Sequence, residues 1–364
     1  MRTIASGAAA LREASGRLRE LYLSHGYEEA LTPSFEPWDE LRPALGPRAQ
    51  SDSLKFIDDD GRVAALRPEV TAGLVRRALK EIRPGEIRRY FYCQKIFRRS
   101  AAGVLSGQRE FWQAGGEILG GEEAFYDAEA VDLLGQSLQR LGCSDYTIEL
   151  GDGGLLRELI HDENLRARCK TALNRHDGAA LAALAEEAPE EARPLLRELP
   201  FLRGEATILA QAGRLAPRPL ASLNRLQAVA LALQARGADE RILFDLALTA
   251  WADYYDGPVS EAYAAGLAVP AGSGGRYDGM TRQLGRALPA CGAALLLDPF
   301  LANLEPGEKP VAILLIGEDP AASARAAALR AQGKIVVQAP ALTPDLIHSL
   351  RRRYRLCDES GAPC

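Results

Sequence analysis

Histidine and cysteine are scarce in this chain of 364 residues, and the few present stand apart from one another. The four histidines are His25, His161, His176 and His348. The six cysteines are Cys93, Cys143, Cys169, Cys291, Cys357 and Cys364. Because no C-x-x-C or His-x-His pair occurs, the spacing predicts no metal site and no disulfide framework, and it argues against a zinc or Ser-His-Asp hydrolase. We expect a reducing compartment and no cofactor.

Positive charge is also limited, since 44 Lys and Arg are balanced by 49 Asp and Glu to give a net charge of -5 and a pI near 5.6. This balance excludes a global basic surface for a nucleic acid backbone, so tRNA binding is not expected. The longest aliphatic run, 311–316, is too short to cross a bilayer. Arg12, Glu13 and Arg17 interrupt the region where a signal peptide needs an apolar stretch. We therefore expect a cytoplasmic protein.

Hydrophobic residues make up 47% and charged residues 26% of the chain, as in ordinary globular proteins, and the length allows two domains. Apolar spacing and turn signals predict these elements in the first part: a helix over 8–23, a hairpin of 55–57 and 62–66, a short helix over 68–80, strands over 88–99 and 110–119, and a helix over 122–141. Glycines at 26 and 142 are expected to end the first and last of these helices.

The composition changes near residue 151, and from there to about 237 Ala, Leu, Glu and Arg dominate, which is typical of a bundle of short helices. Strand patterns return at 242–250 and 259–264, so we predict one interrupted domain over 1–305 with a helical insertion. A small α/β unit is predicted over 308–364, with strands at 311–316 and 334–338 and helices at 321–332 and 345–354. The predicted fold class is α+β.

Three segments have both a functional and a structural interpretation. The cationic strand 88–99 could direct Arg98 or Arg99 at an anion, or it could be a solvated edge strand. The glycine-rich segment 272–279 could approach a ligand closely, or it could be a tight turn between a strand and a helix. Glu69 and Thr71 could serve a ligand, or they could simply suit the first turn of a helix.

Taken in order, these segments resemble class II aminoacyl-tRNA synthetases, and in particular histidyl-tRNA synthetase, over most of residues 1–305. The matching segments are 26–33, which resembles motif 1 and includes Thr32-Pro33; Phe97-Arg98 with 107–117, which resemble motif 2; and Asp253-Tyr254-Tyr255 and 274–279, which resemble the two histidine-recognition signatures. The resemblance implies a mostly antiparallel sheet flanked by helices, and a homodimer whose interface includes the motif 1 proline.

The resemblance also implies roles for individual residues. Glu69, Thr71 and Gln113 would hold the α-amino end of an amino acid, Glu117, Tyr255 and Tyr277 would face an imidazole, and Arg98 would meet the α-phosphate of ATP. Imidazole needs partners at both nitrogens, and a carboxylate with phenols supplies them. Buried tyrosines also occur simply as core residues.

Departures from the synthetase pattern indicate that the chain does not form an adenylate. Ala250 replaces the arginine of the first histidine signature, Ser100 replaces the glutamate after the motif 2 arginine, and Leu296-Leu297-Asp298-Pro299 replaces the Gly-Leu-Glu-Arg of motif 3. Losing a charge-assisted phosphate contact costs about 1.5–3 kcal/mol, and losing a preorganised transition-state donor costs about 2.7–4 kcal/mol. The terminal unit is also little more than half of an anticodon-binding domain.

This combination is similar to the family of ATP phosphoribosyltransferase regulatory subunits, the non-catalytic partners of a short-form catalytic phosphoribosyltransferase at the first step of histidine biosynthesis. The resemblance implies a hetero-oligomer with that catalytic subunit, a class II homodimer, and histidine as the feedback effector. One alternative is an active adenylate-forming class II ligase or a histidyl-tRNA synthetase paralogue. Another is an inactive RNA-binding relative, against which the acidic pI counts.

Overall fold

The structure, a computed structural model, describes residues 4–99, 107–248, 254–301, 304, 311–351, 354–358, 360 and 363. Three residues that the sequence analysis singled out, Ser100, Ala250 and Asp253, lie outside this set. Contacts divide the chain into two units, Met1–Leu304 and Glu305–Cys364. Among the described residues, no helix is both long enough and apolar enough to cross a bilayer.

The strands of the first unit follow in chain order: β1 Glu28–Glu29, β2 Phe35–Pro37, β3 Lys55–Ile57, β4 Val63–Leu66, β5 Arg88–Phe97, β6 Glu110–Leu119, β7 Tyr146–Asp152, β8 Arg203–Gly204, β9 Ile242–Asp245, β10 Pro258–Ala264, β11 Gly272–Arg276 and β12 Ala290–Leu296. Its α-helices are α1 Ile4–Ser24, α2 Trp38–Leu41, α3 Pro47–Asp52, α4 Thr71–Ala78, α5 Ala124–Arg140, α6 Leu155–Leu159, α7 Glu163–Asn174, α8 Gly178–Ala185, α9 Arg193–Glu198, α10 Thr207–Leu215, α11 Ala221–Ala235, α12 Asp278–Gln283 and α13 Asp298–Leu301. Short 3-10 helices occur at Arg42–Ala44, Glu190–Ala192 and Leu199–Phe201.

Nine of these strands form one sheet in the order β1-β5-β6-β12-β11-β10-β7-β9-β8. Neighbouring strands run antiparallel except for the pairs β1–β5 and β7–β9, which are parallel. A second, three-stranded sheet has the order β2-β4-β3 and contains the predicted hairpin. Helices α6 to α11 lie between β7 and β9 in the chain, with the short β8 among them, and form the predicted helical insertion.

The main sheet has an apolar core on each face. Successive side chains of β5 alternate between these cores: Phe91 packs with α1 and α5, and Tyr92 belongs to the opposite core with residues of α4. Phe91 and Tyr92 are each at most 2% exposed. Because both faces are covered, polar groups of the central strands are held out of water, which sets the electrostatics of the site described below.

The structure corrects the sequence-based interpretation at three places. Segment 272–276 is a strand rather than a loop. Glycine is needed there because a Cβ at Gly274 would collide with Ala293, so its absence lets β11 and β12 approach each other closely. The cationic strand β5 lies between β1 and β6, so it is not an edge strand. Strands β7 and β12 were not predicted.

The second unit contains β13 Val311–Ile316, α14 Pro320–Ala331, β14 Ile335–Ala339, α15 Pro344–Arg351 and β15 Arg355–Cys357. Its strands form a parallel sheet in the order β14-β13-β15. Parallel strands need crossover connections, and α14 and α15 provide them. The unit therefore has one strand more than the predicted βαβα pattern.

Candidate functional site

The side chains predicted to contact a ligand meet on one face of the main sheet. On β6, Gln113 and Glu117 share that face because residues four apart in a strand lie on the same side. Glu69 and Thr71 come from the start of α4, and Tyr277 follows β11. Six of the seven predicted residues line one cavity: Glu69, Thr71, Arg98, Gln113, Glu117 and Tyr255. The seventh, Tyr277, reaches this group through Glu117.

Glu117 is the polar centre of this arrangement and is 2% exposed. The hydroxyl of Tyr277 donates a hydrogen bond to Oε2 of Glu117 at 2.5 Å. Thr71 and Tyr92 donate to Oε1 at 2.6 Å and 3.2 Å. Three hydroxyl donors therefore hold this carboxyl group in one orientation, as a buried carboxyl group requires.

The carboxyl group of Glu69 accepts fewer hydrogen bonds than that of Glu117. Its Oε2 accepts a hydrogen bond from the Tyr254 hydroxyl at 3.1 Å. Its Oε1 is buried and has no hydrogen-bond partner of good geometry among the described residues, although the backbone nitrogen of Ala72 lies near enough to the carboxyl group to lower its pKa. Nearby, Oε1 of Gln113 accepts from the backbone nitrogen of Val70 at 3.3 Å, which links β6 to the start of α4. An orphaned buried carboxylate oxygen favours an external donor.

The pKa values of Glu69 and Glu117 lie near neutral pH. Burial raises the pKa of Glu69 to about 7, and burial also raises the pKa of Glu117 to about 7 against the opposing hydrogen bonds from Thr71 and Tyr277. The negative charge of Glu69 also raises the pKa of Glu117, because both carboxyl groups lie in the same low-dielectric site. Perturbed acids of this kind cluster at binding and catalytic sites.

The cavity between these residues is small, about 30 Å³. That space holds about one water molecule. Tyr254, Tyr255 and Tyr277 pack beside it in tilted and edge-to-face arrangements, with ring centroids 4.7–6.4 Å apart. An amino acid would have to move some of these side chains to enter, so the structure shows a closed pocket.

Arg98 lies just beyond β5, is 8% exposed and lines the same cavity. Its guanidinium carbon is 5.8 Å from the ring centroid of Phe111. Burial lowers its pKa, and the negative charge of Glu69 partly offsets that shift. The predicted cation is therefore present in the pocket. The position of the missing signature arginine, Ala250, is outside the described residues.

The segment that replaces motif 3 has a structural role of its own. Asp298 begins α13 and accepts hydrogen bonds from the backbone nitrogen of Trp112 at 2.7 Å and from the Gln108 side chain at 3.0 Å. Leu297 is fully buried, and Pro299 carries no charge. Asp298, at the glutamate position of Gly-Leu-Glu-Arg, therefore ties α13 to β6, and Pro299 occupies the arginine position.

Sequence reasoning missed three residues of the pocket. Tyr92 and Tyr254 donate to the two glutamates, and Gly292 provides the space in which Glu117 sits, since a Cβ at that position would overlap Oε2 of Glu117. Tyr254 stood in a quoted motif, but only its neighbour was given a role. The close approach at Gly292 depends on the pairing of β12 with β6, which has no local sequence signal.

Comparison with known proteins places this geometry in a family. The family model described as histidyl-tRNA synthetase matches residues 4–300. The ATP phosphoribosyltransferase regulatory subunit of Moorella thermoacetica is 36% identical over 346 residues, which cover 91% of this chain and 88% of the relative. The subunit of the same name from Rubrobacter xylanophilus is 32% identical, with 88% of this chain and 78% of the relative covered.

Solved structures agree in fold. A Bacillus halodurans protein described as an ATP phosphoribosyltransferase regulatory subunit/histidyl-tRNA synthetase has a TM-score of 0.79 at 24% identity and covers 96% of this chain and 93% of its own. Histidyl-tRNA synthetase from Nostoc has a TM-score of 0.75 at 17% identity, and the match covers 99% of this chain and 91% of the Nostoc chain. These similarities confirm the predicted class II synthetase-like α+β fold.

The names of the relatives confirm the predicted regulatory, non-catalytic role. This chain belongs to the family of ATP phosphoribosyltransferase regulatory subunits, which is built on the histidyl-tRNA synthetase fold.

Proposed function

We propose that this chain assembles with a catalytic phosphoribosyltransferase subunit in the cytoplasm and that its pocket binds histidine as the feedback signal of histidine biosynthesis. The relatives' names indicate the partner. The residues that line the pocket indicate the ligand. The single observation that carries this proposal is the pair of buried glutamates, Glu69 and Glu117, each with phenol hydroxyls around it.

Each glutamate suits a different end of histidine. The orphaned Oε1 of Glu69 would accept a hydrogen bond from the α-ammonium group, and Thr71 and Gln113 stand beside it. Glu117 would accept from one imidazole nitrogen, while the hydroxyls of Tyr255 or Tyr277 would serve the other nitrogen. Arg98 is the described cation of the cavity and offers a partner for the ligand's carboxylate.

The closed state of the cavity gives histidine a way to act at a distance. With space of about 30 Å³, ligand entry requires the tyrosine cluster Tyr254, Tyr255 and Tyr277 to rearrange. A ligand that binds only the open state shifts the population toward it, and a partner subunit that distinguishes the two states then responds. Feedback inhibition by this route needs no catalysis in this chain.

An apolar face supports the proposed class II homodimer. Leu31, Phe35, Phe56, Ile57 and Val63 come from the motif 1 region and the β2-β4-β3 sheet, and each is more than one-third exposed. Phe35 and Phe56 pack edge to face with ring centroids 5.4 Å apart. A cluster of exposed apolar side chains of this kind is typical of a protein interface.

The test is to co-express this chain with the short catalytic phosphoribosyltransferase from the same cell and to measure activity and inhibition by histidine. We expect the catalytic chain to need this chain for full activity. We also expect Glu117→Gln to weaken histidine inhibition about tenfold or more, since it removes a charge-assisted hydrogen bond. The matched control is Glu20→Gln, at an exposed glutamate of α1.

Two outcomes would contradict parts of the proposal separately. A catalytic chain that is fully active and fully inhibited by histidine alone would remove the regulatory role. Normal inhibition in the Glu117→Gln complex would leave the regulatory role but would place the histidine sensor elsewhere. ATP–pyrophosphate exchange that depends on histidine and is abolished by Arg98→Ala would instead indicate an active ligase.

A further inference from the structure

A second cleft lies where the insertion meets the main sheet. Its volume is about 240 Å³, and it is lined by residues of α6 and α7 and by the ends of β7 and β9. Arg157, Arg166 and Lys170 bring positive charge to it, and Asp152 and Glu163 bring negative charge. Tyr255 borders both this cleft and the glutamate pocket. The proposed histidine function does not use the cleft.

Two guanidinium groups of the cleft are fixed in place without a carboxylate partner. Nη2 of Arg157 donates to the backbone oxygen of Asp256 at 3.0 Å. Nη1 of Arg166 donates to the backbone oxygens of Ile160 and His161 at 3.0 Å and 3.2 Å. No carboxylate of the described residues lies within ion-pair distance of either group.

A neighbouring arginine shows the contrast. Arg168, also on α7, makes two hydrogen bonds of 2.7 Å to the carboxylate of Glu187. Arg157 and Arg166 donate to backbone oxygens instead and make no hydrogen bond to a described carboxylate, although Asp152 lies near enough for its charge to interact with that of Arg157. Guanidinium groups held in this way favour a phosphate, whose oxygens match their planar donor geometry.

The same cleft contains a buried acceptor for hydroxyl groups. Asp152 is 7% exposed. Its Oδ1 accepts from the backbone nitrogen of Gly154 at 2.7 Å and from the Ser222 hydroxyl at 2.9 Å. No described residue donates to Oδ2, so this oxygen can accept from a ligand. A carboxylate is an acceptor that suits a sugar hydroxyl.

We propose that this cleft binds a small sugar phosphate, with the phosphate on Arg157 and Arg166 and a sugar hydroxyl on Asp152. Its volume, 240 Å³, lies just below the range of about 300–1,000 Å³ that is usual for ligand pockets. A pentose phosphate suits this volume better than a whole nucleotide does. The site is distinct from the proposed histidine pocket, and the two share Tyr255 as a lining residue.

The experiment is calorimetric titration of the full-length chain with ribose 5-phosphate, inorganic phosphate, ribose and AMP. Ribose 5-phosphate should bind most tightly, inorganic phosphate more weakly, and ribose without measurable heat. Arg157→Met and Arg166→Met should each weaken ribose 5-phosphate binding about tenfold or more, because each removes a charge-assisted contact. Arg168→Met is the matched control and should change nothing.

Further variants separate binding from folding. Arg157 is exposed, so its replacement should leave the fold intact even if Arg166→Met disturbs the end of α6. Asp152→Asn should weaken ribose 5-phosphate binding while leaving phosphate binding unchanged. Binding of ribose 5-phosphate that survives Arg157→Met and Arg166→Met would overturn the proposal. So would tighter binding of AMP than of ribose 5-phosphate, or no binding of either phosphate compound.

Discussion

The hydroxyl of Tyr254 donates to Oε2 of Glu69 at 3.1 Å. This contact joins the residues before β10 to the start of α4 across the pocket. The tyrosine uses Oε2 and leaves Oε1, the oxygen proposed for a ligand's ammonium group. In the proposed binding mode, ligand entry competes with the closed arrangement of the tyrosines, which this hydrogen bond helps to hold.

We predict that Tyr254→Phe strengthens histidine binding several-fold, because ligand entry no longer has to break the hydrogen bond that holds Tyr254 in the closed cluster. The same change should lower the free energy of unfolding by about 0.5–1.5 kcal/mol through the lost hydrogen bond. Calorimetric titration with histidine and urea unfolding measure the two effects. Tyr263→Phe is the control, since that hydroxyl donates to Glu261 away from the pocket. Unchanged or weaker histidine binding in Tyr254→Phe would contradict the competition.

We predict that the protein loses stability as pH rises from about 4.5 to about 7. An ordinary glutamate has a pKa near 4.5, whereas burial raises the pKa of Glu69 and Glu117 to about 7. Between these values the folded state binds more protons than the unfolded state, so the free energy of unfolding decreases with pH. The expected contribution of each carboxyl group is on the order of 1–3 kcal/mol.

Urea unfolding at about pH 5 and about pH 8 measures this dependence. Glu117→Gln should reduce the difference between the two pH values, because a glutamine does not titrate. Glu20→Gln, on the exposed surface of α1, should leave it unchanged. An unaltered difference in Glu117→Gln would mean that this carboxyl group does not titrate in the stated range.

We predict that Gly292→Ala both destabilises the chain and abolishes histidine binding. The added Cβ would overlap Oε2 of Glu117 and would meet the backbone oxygen of Gly116 at 2.5 Å. Overpacking of this kind typically costs about 1–3 kcal/mol. Thermal unfolding and calorimetry measure the two effects. Gly213→Ala in α10, where a Cβ meets nothing within 4 Å, is the control and should be neutral or slightly stabilising. Normal histidine binding in Gly292→Ala would contradict the tight fit around Glu117.

We predict that Ile57→Asp converts the proposed homodimer to a monomer. Ile57 is 67% exposed, so its replacement should not disturb the core, whereas a charge on an apolar interface opposes association. Sedimentation velocity measures the oligomeric state. Leu342→Asp, at a residue that is 55% exposed in the second unit, is the control and should leave the dimer intact. A dimer that persists in Ile57→Asp would place the interface on another face.

Much of the architecture was predictable because its signals are local. The periodicity of α1 and α5 and the glycines at their ends gave helices close to the observed ones, and Gly26 and Gly142 have the left-handed φ values of 77° and 82° that such ends require. Strand β6 was predicted over its observed length. Strand β11 was not, since its glycines signal a loop until the neighbouring strands are known.

The residues of the pocket were gathered by resemblance rather than by pattern. Glu69 and Glu117 are 48 positions apart in sequence, and nothing in their neighbourhoods indicates that they share one cavity. Their raised pKa values arise from burial, which depends on how α4 covers the sheet. The bond from Tyr254 could not be anticipated for the same reason, because it joins residues 185 positions apart.

The anchoring of Asp298 couples the stability of two elements. Its carboxylate accepts from the backbone nitrogen of Trp112 and from the Gln108 side chain, so the start of α13 and the first residues of β6 hold each other in place. Removal of this carboxylate would deprive both donors of their acceptor, and the two elements would loosen together.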